Sequence, residues 1–452
     1  MKKIAIVGAG EIGGFLAGRL ATEQIDVTVI DHNQAVLTAL RNTMDVAGIL
    51  GDATSISDLR EAEIQDADLF IATTWQDETN LISCLLAKEL GVKQTIAVTR
   101  YLGLRGQKVP IDSSALGIDL MVNASSAVKN EIMDIIETTG ANEVARFSGG
   151  QIILVGVQVG ENGGLNGKTV DSLCGNGPQP HLSIASLVRG NDLLEFNGET
   201  RLEDGDYLYV LSTQEHQAEL NKALCVETIK NRTAVISGDN FLSQLLADAL
   251  LNRHFHVTML ATTEKKALFL HNHFEGRHQI QVEVGSGCEV KLLRRVKVPS
   301  TSVFIATNTD DATNLTACMI AKSLGAGKTI ATIKRTDILP LCRKAGVDVN
   351  IAPRLATAKV IQRVVHENRV LDYRAVSQTN LEVVELVAKP GCKAVKAPIA
   401  KLRLPKGVVI GAIASGKGSS LTSPEMRIQP GDRVIVLTLP EHLMAVESMF
   451  ND

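Results

Sequence analysis

The residues best suited to chemistry stand near the front of the chain. Gly8, Gly10 and Gly13 are spaced G-x-G-x-x-G between the apolar run Ile4-Ala5-Ile6-Val7 and a helical pattern over residues 15–21. A β-branched run of this kind reads as a buried parallel strand, and glycines between strand and helix mark a turn that wraps a pyrophosphate. Gly8 permits the tight turn, Gly10 lets the backbone approach the phosphates, and Gly13 lets the helix sit close on the strand. The chemistry is anion binding by unpaired N–H groups at the positive end of a helix dipole. A second strand, residues 27–30, ends in Asp31, at about the ~20-residue distance where an acidic side chain reaches a ribose hydroxyl. That carboxylate would bond a 2′-OH and repel a 2′-phosphate, favouring NAD(H) or an adenosine nucleotide over NADP(H).

Other reactive residue types give weaker patterns. Five histidines lie between His254 and His278, and His271, Glu275 and His278 would share one face if that segment were helical. Such a face is permissive for a metal but not ligand-specific, and a solvated surface accounts for it equally well. Tyr101 is followed four residues later by Arg105, so no Tyr-x-x-x-Lys arises there, and Tyr207, Tyr209 and Tyr373 also lack a lysine at that spacing. Trp75, the only tryptophan, suits packing at a sheet edge as well as stacking on a ring. The basic run Lys291 to Lys297 reads as a solvated helix face.

The elements that position the glycine turn follow in alternation. A helix over residues 34–41, a strand at 46–50 closed by Gly51-Asp52-Ala53-Thr54, a helix at 57–62 and a strand at 69–72 are expected, then a helix at 81–90 and a strand at 95–99 ending at Arg100. Strands alternating with helices predict a doubly wound parallel sheet. Gly51 to Thr54, Thr73 to Trp75 and Arg100 all fall at strand C-termini, the edge at which such sheets bind ligands. After a helix at 125–137 the texture changes. Residues 151–159 are β-rich, Asn162-Gly163-Gly164 is a turn, and short strands are expected at 184–188 and 207–211. These features describe a small α+β module of about 80 residues.

The pattern then restarts. A strand at 233–236, a helix at 241–251 and a strand at 257–260 precede literal repeats, with Asp77-Glu78-Thr79-Asn80-Leu81 returning as Asp311-Ala312-Thr313-Asn314-Leu315. The small module recurs too, since Leu202 to Leu211 matches Ile428 to Leu437. A duplication of about 230 residues is hard to obtain by chance. Aligned by motif, Ser237 to Leu242 takes the place of Gly8 to Gly13. On that register no fingerprint glycine is kept, Leu242 would crowd the helix, and Asp239 would repel a phosphate. Ala261 stands where Asp31 does in the first half, so the second half is expected to be structural or regulatory, or to bind a different ligand weakly.

Composition sets the class. With 452 residues, 45% hydrophobic and 21% charged, the chain is an ordinary globular protein of two or more domains. A net charge of −4 and 3% aromatics exclude the basic face and stacking platforms of a nucleic-acid binder. Met1-Lys2-Lys3 runs directly into the first strand and no stretch is long enough to span a bilayer, so a soluble intracellular protein is expected. Seven scattered cysteines without a C-x-x-C read as reduced thiols, mostly core packing.

Two Rossmann lobes, each followed by a small β-rich lobe, resemble the tandem form of the RCK (KTN) regulators of potassium conductance, the family of the peripheral subunits of bacterial Trk potassium uptake systems. The residues carrying the resemblance are Gly8 to Gly14, Asp31, Gly51-Asp52-Ala53, Asp77 to Asn80, Leu165 to Lys168, Asp311 to Asn314 and Gly431-Asp432. It covers essentially the whole chain and implies six segments. These are a Rossmann domain (1–123), a crossover helix (124–140), a small α+β domain (141–225), a degenerate Rossmann domain (231–352), a second crossover helix (353–370) and a second small domain (371–452).

The resemblance further implies a cytoplasmic, homo-oligomeric ring, a tetramer, beneath a TrkH or KtrB type membrane subunit, binding NAD(H) and ATP or ADP. By position, the backbone of Gly8, Ala9, Gly10, Glu11 and Ile12 would meet the pyrophosphate and Asp31 the ribose. Asp52, Thr74 and Trp75 would line the base or nicotinamide side, with Arg100 a phosphate or partner contact. Val98 stands where the family often places an arginine. The rival is an NAD-dependent oxidoreductase, since the fingerprint does not distinguish a sensed cofactor from a reacting one. A dehydrogenase needs a substrate domain and an acid or base near the nicotinamide, whereas this chain spends its second half on a copy of the first.

Overall fold

The computed structural model describes residues 2–23, 25–100, 116–138, 140–160, 164–174, 181–190, 192–224, 231–366, 372–375, 381–416 and 418–451. Tyr101 and Arg105, the Asn162-Gly163 turn and Cys225 lie outside the described residues. The chain divides into two compact units, Met1–Met133 with Lys230–Gln362 and Asp134–Ile229 with Arg363–Asp452. Like lobes of the two halves therefore share a unit.

The first Rossmann lobe contains strands β1 (Lys3–Val7), β2 (Asp26–Asp31), β3 (Ala47–Leu50), β4 (Leu69–Ala72), β5 (Gln94–Thr99) and β6 (Leu120–Asn123). They pair in parallel in the order β3-β2-β1-β4-β5-β6. The order reverses between β1 and β4, which opens a crevice at their C-terminal ends. Helices α1 (Glu11–Thr22), α2 (Gln34–Thr43), α3 (Ile56–Glu61), α4 (Asp77–Glu89) and α5 (Ala124–Glu137) complete the lobe. Helices on both faces of a parallel sheet bury it from two sides, which is why β1 and β4 are continuous apolar runs; Ile4, Ile6, Phe70 and Ile71 are all buried.

The second Rossmann lobe repeats this order with strands Thr233–Ser237, His256–Ala261, Ile280–Val284, Val303–Ala306, Lys328–Thr332 and Val349–Ile351. Both sheets gain a sixth strand that the sequence did not announce, because Leu120–Asn123 and Val349–Ile351 are too short to show a period. In the histidine-rich segment a helix runs only as far as His273, with Phe274 as its C-cap. Glu275 and His278 fall beyond it, so the shared helical face does not form.

The second unit holds two five-stranded antiparallel sheets of one topology. One orders strands Glu143–Phe147, Ile152–Gln158, Tyr207–Thr213, Leu182–Arg189 and Asp192–Leu194; the other orders Asp372–Ala375, Glu382–Val387, Arg433–Thr438, Val409–Ser415 and Gly418–Leu421. They share an apolar core that includes Phe147, Tyr209, Val383 and Ile435. Inside it the Glu385 carboxylate accepts from the Ser148 backbone N–H at 3.0 Å and its hydroxyl at 2.8 Å, tying the two sheets together. Cys84, Cys318, Cys342 and Cys392 are buried thiols, in line with core packing. Among the described residues no helix is long and apolar enough to cross a membrane.

Candidate functional site: the cleft of the first Rossmann lobe

Gly8 follows β1 with φ of +88°, and its N–H donates to the Ile30 carbonyl at 2.9 Å. A Cβ there would stand 3.0 Å from the Thr74 backbone nitrogen. Gly13 is tighter still, since its Cβ would lie 1.9 Å from the Gly8 oxygen and 2.5 Å from Thr73 Oγ1. Thr73 locks this turn from below, its hydroxyl within 2.9 Å of the Val7 carbonyl and 3.0 Å of the Gly8 carbonyl. Gly10 differs, because a Cβ there would meet nothing within 4 Å. It is the N-cap of α1, and no side chain caps that helix. The first-turn N–H groups of α1 are thus presented to the cleft with a dipole behind them.

A cleft of about 1060 Å³ opens above this turn, bordered by Gly8, Ala9, Gly10, Glu11, Ile12, Asp31, Asp52, Thr74, Trp75 and Arg100. Gly13 supports the turn from behind and does not border the cleft. Asp31 ends β2 and reaches back across the turn, its Oδ2 accepting from the Ala9 N–H at 2.6 Å and its Oδ1 from the Asn33 N–H at 2.8 Å. Asp52 folds on itself, accepting from the Thr54 N–H and hydroxyl at 2.8 Å each. Asp58 takes the Asp52 N–H at 2.8 Å, and that bond, with the Ser55 hydroxyl, holds its carboxyl below the usual range. Trp75 is 71% exposed, so its indole is not a packing residue of the sheet edge. The Arg100 guanidinium donates to the carbonyls of Thr74 (3.3 Å) and Trp75.

The repeated Asp-x-x-Asn motif proves to be the brace of this rim. Asn80, fully buried, accepts from the Thr74 N–H (2.9 Å) and hydroxyl (2.6 Å) and donates to the carbonyls of Thr74 (3.0 Å) and Val98 (2.8 Å). Asp77 accepts the Arg100 N–H at 3.0 Å. In the second lobe Asn314 accepts from the Asn308 N–H at 2.7 Å and donates to the Thr332 carbonyl at 2.9 Å, while Asp311 accepts from the Lys334 N–H at 2.9 Å. The motif therefore binds the loops after the fourth and fifth strands of each lobe, whatever those loops hold.

The second cleft departs from the first, though not on the register expected. The first strand of that lobe ends at Ser237, as β1 ends at Val7. Gly238 therefore matches Gly8, with φ of +142° and an N–H to the Leu260 carbonyl at 3.2 Å. One fingerprint glycine is kept, and Ser243 rather than Leu242 takes the place of Gly13. Its hydroxyl meets Thr307 Oγ1 at 2.8 Å, so the helix does not crowd the strand. Asn240 takes the place of Gly10, and its Oδ1 accepts from the Ser243 N–H at 3.0 Å while its amide donates to the Thr307 carbonyl. The helix terminus open in the first lobe is capped here by a side chain.

Asp239, at the place of Ala9, does not face an anion site. It accepts from the Thr262 N–H (2.7 Å) and hydroxyl (2.6 Å) and pairs with Lys266 Nζ at 2.6 Å. Desolvation opposes its charge, but Lys266 and Thr262 outweigh it and hold the carboxyl below the ordinary range. The acid that closes the turn has moved from the second strand to the turn itself. Among the described residues no group of three or more His, Cys, Asp or Glu could hold a metal ion.

Sequence reasoning missed one side of the first cleft. Lys334, Pro353, Arg354 and Thr357 of the second lobe also border it. No motif marks them, since Lys334 reads as the loop after a strand and Arg354 as the first turn of a helix.

Comparison with known proteins gives concordant results. The TrkA-N domain model matches residues 4–104 and 234–353, and the TrkA-C domain model matches residues 383–451. The Trk system potassium uptake protein TrkA of Halomonas elongata is 28% identical over 99% of this chain and 98% of its own length. The Vibrio alginolyticus protein of the same name is 27% identical, over 99% of this chain and 98% of its own. Among solved structures, the GsuK RCK domain aligns with a TM-score of 0.60 at 19% identity, covering 100% of this chain and 95% of that one. The GsuK channel bound to NAD aligns with a TM-score of 0.60 at 19% identity over 100% of this chain and 79% of that one. These two likenesses establish the shared fold, including the first small lobe, which the TrkA-C model does not reach.

Proposed function

The chain belongs to the TrkA-N and TrkA-C domain family, and from that membership we propose that it is the nucleotide-sensing regulatory subunit of a Trk-type potassium uptake system. Its role is regulatory and not enzymatic; relatives along its full length are named for a potassium transport system. The observation that carries the nucleotide reading is the contrast between the two lobes. In the first, the helix terminus at Gly10 is uncapped and borders a cleft; in the second, Asn240 caps it and Asp239 ties its turn to Thr262 and Lys266.

In this reading the phosphates of the ligand rest on the N–H groups of Gly10, Glu11 and Ile12. Asp31 exchanges its Ala9 partner for a ribose hydroxyl, and Asp52, Thr74 and Trp75 flank the base. NAD(H) and ATP or ADP are the ligands proposed, and the GsuK channel, which shares this fold, is known bound to NAD. The chain acts as a homo-oligomeric ring, a tetramer, on the cytoplasmic face of a TrkH or KtrB type membrane subunit. A nucleotide can bias such a ring only through its difference in affinity between the open and closed states. A tenfold difference supplies ~1.4 kcal/mol per site, and several sites sum to a decisive bias.

The test is growth of a deletion strain in potassium-limited medium, complemented by the wild-type chain or by Gly10→Glu. The substitution meets no atom within 4 Å at Cβ, so it leaves the turn intact while sending a carboxylate into the cleft. Rescue by wild type alone is expected. Rescue by both chains removes the nucleotide site from the account, and rescue by neither removes potassium uptake.

A further inference from the structure

The two Rossmann lobes share one strand order, yet the sheet edges opposite their clefts, where the strands begin, carry opposite charge. We propose that this N-terminal edge of the second sheet is a docking surface for an anionic lipid membrane. The inference rests on the reading above, that the chain serves a membrane subunit, and adds a contact of its own with the bilayer.

The reversal holds position by position. Lys3 pairs with Asp26 in the first sheet where Thr233 pairs with His256 in the second, so an exposed carboxylate gives way to an exposed imidazole. Glu63 and Lys297 stand at the same turn before the fourth strand, with φ of 50° and 60°, and there an exposed carboxylate becomes an exposed ammonium. Glu23, the C-cap of α1 and 3.8 Å from Arg19, returns as the exposed C-cap Arg253. Asp66 and Asp68 return as Ser300 and Ser302, and Lys93, paired with Asp68 at 2.7 Å, leaves with it. The acids kept at both edges, Asp119 and Asp348, are neutralised by Lys88 (2.8 Å) and Lys322 (2.6 Å). The chain as a whole carries −4, so this edge runs against its average.

A second difference between the copies is apolar. The helix Glu264–His273 runs down to this edge and exposes Leu268 (62%) and Phe269 (57%) where α2 has Thr38 and Ala39. The Phe269 ring stacks on His273 with centroids 6.2 Å apart, which joins the apolar pair to the cationic rim. Just past the helix, Arg277 and His278 are exposed beside the acid Glu275, and Arg277 lies 3.5 Å from Asp248. Cations beside exposed leucine and phenylalanine suit the headgroup boundary of a bilayer, with the cations on lipid phosphates and the apolar side chains below them. A purely electrostatic partner uses the charge and leaves Leu268 and Phe269 in water. The cytoplasmic leaflet is anionic, and among the described residues no helix of the chain's own crosses a membrane. The clefts open at the other ends of the strands, so this contact leaves the nucleotide site accessible.

The test is co-sedimentation of the full chain with vesicles of phosphatidylcholine alone or of an equimolar mixture with phosphatidylglycerol. Wild type should bind the mixed vesicles only, and raised salt should weaken that binding. Arg253→Glu and Lys297→Glu restore the residues of the first lobe, which the same backbone positions already carry, and each should weaken binding about fivefold or more. Leu268→Thr with Phe269→Ala, again the first-lobe residues, should weaken binding and leave its salt dependence in place. Lys222→Glu, an equal change of net charge at an exposed site of the first small lobe, should bind as wild type does. The proposal is overturned if wild type ignores the mixed vesicles, if both vesicle types bind alike, or if Lys222→Glu weakens binding as much as Arg253→Glu. It is also overturned if Arg253→Glu and Lys297→Glu change the oligomeric state and keep vesicle binding, since the edge then meets the acidic edge of a second copy. The vesicles hold no potassium-translocating subunit, so a failure here leaves the regulatory reading to the growth test, and failure of the growth test leaves this result to stand by itself.

Discussion

Replacing Gly13 by alanine probes the turn that the cleft is built on, and its cost can be worked from the geometry. The added Cβ would stand 1.9 Å from the Gly8 carbonyl oxygen, so backbone must give by about 1.5 Å to reach an ordinary contact of 3.4 Å. Neither atom can swing aside, because the oxygen is main chain and Thr73, the next neighbour at 2.5 Å, is pinned to Val7 and Gly8. Overpacking of this kind costs about 3 kcal/mol. Alanine regains about 1 kcal/mol of helix propensity within α1. The net loss is about 2 kcal/mol, or roughly thirtyfold in the opening equilibrium of β1 and α1. Hydrogen exchange over residues 4–22 reads this locally, without assuming that a chain of two compact units unfolds in one step. Gly10→Ala is the control: it meets nothing within 4 Å, and its effect should stay within about 1 kcal/mol, the scale of an N-cap change. If Gly13→Ala exchanges at the wild-type rate, or the two variants exchange alike, the close packing of helix on turn is not what sustains the site.

Three further perturbations follow from the same contacts. Asn80→Ala strips four hydrogen bonds from a fully buried brace and should cost about 3 kcal/mol in denaturant unfolding while weakening nucleotide binding through the loosened Thr74–Trp75 rim. Asn240→Ala removes only the cap of the second lobe and should cost about 1 kcal/mol with nucleotide affinity unchanged, as titration of the variant would report. Asp239 is held below its ordinary value of 3.8 in the folded chain, so its contribution to stability is present above that pH and is lost as pH falls through the lower folded value. Thermal melts between pH 5 and pH 2 should accordingly fall less steeply for Asp239→Asn than for wild type.

The parallel sheet and the glycine turn of the first lobe were legible because each rests on local patterns of high contrast. Ile4 to Val7 is a continuous apolar run, and three glycines at fixed spacing carry their steric reasons with them. The second lobe was harder for a reason of register. Its turn, Ser237-Gly238-Asp239-Asn240, contains one glycine and no alternation to anchor it, and a slip of one residue moves Gly238 off Gly8 and Leu242 onto Gly13. The correct offset was present in the sequence, since Asp31 to Ala261 spans the same number of positions as Gly8 to Gly238. Asp77 and Asn80 were visible as a repeat, but their role as braces lies in bonds to Thr74, Val98 and Arg100, which spacing alone does not encode. Lys334 and Arg354 were invisible, because what brings them to the cleft is the packing of one lobe on the other.

The central claim is that the first Rossmann cleft binds a nucleotide through its open helix terminus, and direct titration tests it most plainly. Trp75 is the only tryptophan of the chain and borders that cleft, so its emission reports occupancy from within the site. Saturable change on adding NADH or ATP to wild type, abolished in Gly10→Glu and retained in Asn240→Ala, is the result expected. An unchanged titration in Gly10→Glu, or its loss in Asn240→Ala, would contradict the account.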